Sequence, residues 1–120
     1  MSILDNIINS LNGKADKDLA NCTKPHIVET YSNGTSWYRV YSDGWCEQGG
    51  KSQSQGQTNV SLIKSYTNTE YSVLLTNNQT GAGNADITTR VIQLNENSFS
   101  YFAEQLYNNV ITWQTSGYIN

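Results

Sequence analysis

Apolar residues recur at helical spacing in one place only. Ile3, Leu4, Ile7, Ile8 and Leu11 form a stripe at i, i+3/i+4 and i+7. Ser2 is placed to cap it, Asp5 follows three positions on, and Asn12-Gly13 supplies a stop. The pattern predicts a helix over residues 2–12. So short a helix is not stable alone, so its stripe needs a partner. It can dock on its own domain, or it can be the stub of a parallel coiled coil with Leu4, Ile7 or Ile8, and Leu11 on the seam. Isoleucine at the seam is compatible with two or three strands. Residues 13–24 are polar with isolated small apolar positions and read as an extended neck. Pro25 then disfavours helix at Lys24. The division is a helix and neck over 1–24 and a head over 25–120.

After residue 25 the period changes to two. Strands are expected at 26–32, on both sides of Asp43-Gly44, and at 58–66, 70–76, 85–94, 98–104 and 110–119. Turn-formers separate them, and 51–57 and 77–84 read as polar loops. This is the pattern of an all-β, antiparallel sandwich of about eight strands. Nothing after residue 24 carries a helical period, which argues against βαβ units.

The stretch 36–50 holds two of the three tryptophans and reads as a tight hairpin. Asp43-Gly44 suits a two-residue connection with φ > 0 at both positions. Val40 then faces Glu47, Arg39 faces Gln48, Tyr38 faces Gly49 and Trp37 faces Gly50. One face carries Trp37, Arg39, Tyr41, Cys46 and Gln48, and the other Tyr38, Val40, Trp45 and Glu47. Neither is cleanly polar, so both are expected to be covered, one by a second sheet and one by another subunit.

Composition narrows the function. The chain has 120 residues and a net charge of −3, with its seven basic residues scattered, which argues against nucleic acid. Asn, Gln, Ser and Thr make up about two-fifths of it, so its surfaces are polar rather than charged. No run approaches membrane-spanning length, and the first eleven residues lack the basic and apolar regions of a secretory signal. Cys22 and Cys46 lack metal-site spacing; they can pair or remain buried thiols.

Catalytic constellations are missing from the sequence. His26 is the sole histidine, and most acids fall in or beside turns. Glu47 is the exception, mid-strand, and reads as a hydrogen-bonded or arginine-paired acid with Arg39 or Arg90 as partner. No cofactor or metal is expected. The aromatics carry more: tyrosine offers a flat apolar face and a hydroxyl, suited to sugar rings. Tyr66, Tyr107 and Tyr118 lie beside expected loops or the terminus. With Asn77, Asn78, Gln79 and Asn84 they form the candidate ligand-binding set.

The run Trp37-Tyr38-Arg39-Val40-Tyr41-Ser42-Asp43-Gly44-Trp45-Cys46-Glu47-Gln48-Gly49-Gly50 resembles the W-Y-R-x-(Y/W)-S-D-G-W-x-E-Q-G-G signature of C-terminal domains of tailed-phage and prophage tail fibres. Weaker likenesses support it: 14–21 is similar to the K-A-D-x-D-L-x-N run before such heads, 71–75 to a Y-S-V strand, and 112–119 to a closing W-x-x-x-G-Y segment. The resemblance implies a trimeric fibre head, a β-sandwich knob like that of H-type lectins on a short coiled stem. It implies a virion component, made in the host bacterial cytoplasm, that attaches to host-surface glycan without catalysis or membrane insertion. Alternatives are a trimerisation tip that binds nothing and a glycan-degrading enzyme. On this view Leu4, Ile7, Ile8 and Leu11 hold the stem, and Arg39, Glu47 and Gln48 hold the subunit interface or the adjacent core.

Overall fold

A computed structural model of the chain describes residues 2–8, 24–53, 56–78, 88–104 and 110–119. The head holds eight strands among these: β1 (Ile27–Ser32), β2 (Ser36–Tyr41), β3 (Trp45–Gln53), β4 (Gly56–Ser61), β5 (Ser72–Asn77), β6 (Thr89–Asn95), β7 (Ser98–Ala103) and β8 (Val110–Tyr118). They form a five-stranded sheet in the order β1-β2-β3-β8-β5 and a three-stranded sheet in the order β4-β7-β6. Every pairing is antiparallel. The expected all-β architecture is therefore present.

The expected boundaries shift where backbone pairing outweighs side-chain pattern. β3 continues to Gln53, through part of the expected polar loop, because β8 pairs with it along its whole length, down to Gln53 opposite Val110. The strand expected at 58–66 ends at Ser61. Residues 62–71 instead cross from the small sheet to the large one. Leu62 N–H donates to Asn97 C=O at 2.9 Å and Tyr66 N–H to Glu96 C=O at 2.8 Å, both on the β6–β7 turn. Thr67 N–H donates to Tyr118 C=O at 2.9 Å on β8.

The hairpin differs by one residue. Val40 faces Cys46, Arg39 faces Glu47, Tyr38 faces Gln48 and Trp37 faces Gly49. The connection has three residues, Ser42-Asp43-Gly44. Gly44 N–H donates to Tyr41 C=O at 3.0 Å, and Gly44 adopts φ 90°. The Asp43 carboxylate accepts from Trp45 N–H at 3.0 Å. This is a type I turn closed by a left-handed glycine, the standard three-residue hairpin loop. A one-residue slip exchanges the faces of one strand. Tyr38, Val40, Cys46 and Gln48 thus share the inner face, all buried, and Trp37, Arg39, Tyr41, Trp45 and Glu47 share the outer one. The two mixed faces expected from the sequence resolve into one core face and one half-exposed face.

The core lies between the sheets. Ile111, Trp113 and Thr115 of β8 meet Phe99, Tyr101 and Ala103 of β7, all nearly or fully buried. Phe99 and Trp113 pack edge to face at 5.5 Å, and the Tyr101 hydroxyl bonds Ser52 Oγ at 2.8 Å across the layers. Gln48 is fully buried; its amide donates to Lys64 C=O at 2.8 Å and accepts from Lys64 N–H at 2.9 Å. It anchors the crossing segment and so leaves the subunit-interface set for the core. Tyr71 does similar work from β5's end, its hydroxyl donating to the carbonyls of Asn95 at 2.6 Å and Ser98 at 2.9 Å.

Cys46 is a free, fully buried thiol. Burial raises it from 9.0 to about 11. Burial likewise raises Tyr71 to about 12, and a hydrogen bond to Glu29 raises Tyr38 to about 12. In all three the folded state favours the neutral form. Their stabilisation is complete below the unfolded values of 9.0 to 10.0 and is withdrawn as pH rises through the folded ones. We expect the melting temperature to decline from about pH 9 upward, and Cys46→Ala to remove the earliest part of that decline. A flat profile to pH 11 in thermal melts would refute this.

Residues 3–8 are helical. The Ser2 hydroxyl caps them, accepting from Asp5 N–H at 3.1 Å. Ile3, Leu4, Ile7 and Ile8 are between 46% and 80% exposed, so no described part of the chain covers the stripe. Leu11 and Cys22 lie outside the described residues.

Candidate functional site

β3 begins where β8 ends, and Trp45 faces Tyr118 there. Their rings meet edge to face at 5.0 Å. The crossing segment arrives at the same place, because Thr67 is bonded to the Tyr118 carbonyl by N–H and by Oγ1. These elements enclose a cleft of about 250 Å³. Trp45 and Tyr118 form its aromatic wall, Asn68, Glu70 and Ser72 its polar rim, and the buried Tyr66, Tyr71 and Gly117 its base.

The base is built by close packing. Tyr66 and Tyr71 stack at 4.4 Å. A side chain at Gly117 would meet Tyr71 Cβ at 2.7 Å, so only glycine lets the stack lie against β8. The Tyr66 hydroxyl is committed to Thr115 Oγ1 at 2.7 Å, and burial raises its pKa. On the rim, Asn68 Oδ1 accepts from Glu70 N–H at 2.9 Å, which turns the loop and leaves the amide NH2 of Asn68 outward-facing chemistry to offer. Tyr118 is 49% exposed, so its ring is available to a ligand.

Of the expected ligand-binding set, Tyr66 and Tyr118 come together here, one as buried base and one as exposed wall. Asn77 and Asn78 lie at the opposite end of β5, roughly 17 Å from Ser72 at the rise of an extended strand. There Asn78 Nδ2 donates to Thr112 Oγ1, and Asn77 Nδ2 to Thr89 Oγ1 at 3.4 Å. Gln79, Asn84 and Tyr107 lie outside the described residues. Trp45 and Glu70 line the cleft but stood outside the expected ligand-binding set. The corrected register would have exposed Trp45, since alternation along β3 places it on the face opposite the buried Cys46 and Gln48; Glu70 carries no sequence signal beyond its turn.

The outer face of the five-stranded sheet carries a second cluster. The Arg39 guanidinium lies 4.9 Å over the Trp37 ring, and its Nε is 3.4 Å from Glu47 Oε1. That contact is an ion pair outside hydrogen-bond alignment, because the same Nε is buried without a hydrogen-bond acceptor. Tyr41 donates to Glu47 Oε1 at 2.8 Å, which raises the tyrosine pKa. Glu47 is thus arginine-paired and hydrogen-bonded. Among the described residues no group of three or more His, Cys, Asp or Glu side chains could hold a metal ion.

The chain folds as a five-stranded antiparallel sheet packed on a three-stranded one, and this arrangement is shared with solved tail-fibre structures. Among solved structures the chain is similar to an N-truncated R2-type pyocin tail fibre, with a TM-score of 0.63 and 14% identity over 75% of this chain and 38% of that one. A C-terminal fragment of the Pseudomonas aeruginosa R2 pyocin fibre matches at 0.63 and 14%, over 75% and 26% of the two chains. The corresponding R1 fibre fragment matches at 0.58 and 13%, over 76% and 28%. At these identities the likeness is one of fold, and the chain spans well under half of each fibre chain it matches. No family model matches the sequence, and no curated protein matches it significantly.

Proposed function

We propose that the chain is the receptor-binding head of a tail fibre, that it attaches to glycan on a host bacterial surface without catalysis, and that it works as a homotrimer on a virion or tail-like particle. The observation that carries this reading is the likeness to pyocin tail fibres over three-quarters of the chain. Two features agree with it. The stripe of Ile3, Leu4, Ile7 and Ile8 is uncovered, as a helix awaiting parallel copies would be. Trp37, Arg39 and Glu47, with the 66% exposed Leu74, give the sheet an outer face suited to a neighbouring subunit. Among the described residues, moreover, the cleft is lined by one carboxylate, Glu70, where glycosidic cleavage uses two.

Sedimentation of the whole chain should return three copies per particle, and the fluorescently labelled protein should coat cells of at least one strain in a bacterial panel. A monomer at micromolar concentration would remove the trimer. Absence of binding to every strain would leave a tip that registers fibre chains and binds nothing.

A further inference from the structure

The cleft between Trp45, Tyr118 and the 66–72 segment has a chemistry that selects among sugars. Its wall is aromatic, and the exposed Tyr118 ring offers an apolar face to the C–H side of a sugar. Its rim holds neutral polar groups, from Asn68, Ser72 and Ser116. It holds one charge, Glu70, whose carboxylate meets no donor or cation among the described residues. Among the described residues that line it, none is Lys, Arg or His. An acidic ligand would bring its charge to Glu70 with nothing to neutralise it, a like-charge pairing that costs affinity. Hydroxyl groups or an ammonium would satisfy the carboxylate as donors. The volume of about 250 Å³ lies below the range of roughly 300–1,000 Å³ of drug-sized pockets and suits one ring, so the end of a chain rather than its middle.

From this we infer that the cleft is the receptor subsite and takes a terminal sugar without an acidic group, a neutral hexose or an amino sugar, seated against Tyr118 with its donors on Glu70. The inference rests on the receptor-binding reading above. It is tested by applying the whole chain to an array of immobilised oligosaccharides ending in neutral hexoses, amino sugars or uronic acids, alongside Tyr118→Ala and Glu70→Gln. Both side chains are exposed, so melting temperatures should stay within about 2 °C of the parent. Binding should favour the neutral and amino sugars, change less than about twofold between low and high salt for the neutral ones, and fall at least tenfold in each variant. Stronger binding to uronic-acid termini overturns the inference. Undiminished binding by both folded variants removes the cleft while leaving the receptor-binding reading in place. A parent protein that binds neither the array nor any cell removes both.

Discussion

Gln48→Leu will destabilise the head by about 3 kcal/mol, close to the cost of orphaning one partly buried N–H and one C=O. The substitution keeps the volume of the side chain but strips Lys64 of both its hydrogen bonds. No water can substitute at Gln48 itself, because the residue is fully buried between the sheets. For a domain of this size the loss corresponds to a drop of roughly 15 °C in melting temperature. Gln48→Glu separates the hydrogen bonds from mere packing. As a carboxylate it can accept from Lys64 N–H but faces Lys64 C=O with no proton. Protonated, it matches the amide, so its folded pKa is raised. Its stability should therefore be recovered as pH falls toward the unfolded glutamate value of about 4.3 and lost as pH rises. A Gln48→Leu protein that melts with the parent would show that the clamp contributes nothing.

Gly50→Ala should cost about 2–3 kcal/mol, and Gly49→Ala about 1 kcal/mol, although the nominal overlap is worse at Gly49. A methyl at Gly50 meets the Thr35 carbonyl oxygen at 2.8 Å and Trp113 Cζ2 at 2.9 Å. One is backbone and the other belongs to a ring 3% exposed in the core, so neither can yield. The three atoms nearest a methyl at Gly49 all belong to the Trp37 ring, the closest at 2.6 Å. That ring lies on the half-exposed outer face and can swing toward solvent, at the expense of its contact with Arg39. Denaturant midpoints of the two variants decide the matter. The reverse order would mean that Trp37 is held as firmly as Trp113.

The fold was largely legible and the site only partly so, for identifiable reasons. Period-two alternation and regular turn signals gave an antiparallel sandwich because strands such as β2 and β8 bury alternate positions, although β1 is exposed along its whole length. They could not give strand order, since the crossing at 62–71 is set by backbone bonds to Asn97, Glu96 and Tyr118. Asp-Gly suits both the two-residue turn and the three-residue turn with a left-handed glycine, so the hairpin register was undetermined locally. The deciding information lay in the faces. Slipping the register by one sorts Cys46 and Gln48 with Tyr38 and Val40 and removes the mixture that had suggested two covered faces. Tyr66 illustrates the limit at the site. Proximity to a turn suggested exposure, whereas Gly117, fifty-one positions later, opens the space that buries it.

The strand order sets a schedule for biosynthesis. β8 is the eighth strand to leave the ribosome, yet it lies between β3 and β5. Until it emerges, β5 has no strand partner and β3 has a bare edge. Long-range pairing of this kind folds slowly, and open edges invite association with other chains. The nascent head must therefore wait, with its largest sheet unjoined, for a segment that also carries Trp113 and Tyr118. The cleft draws on β3, the crossing segment and β8 together, so it comes into being only with that last insertion. A chain whose translation halts before β8 lacks this cleft altogether.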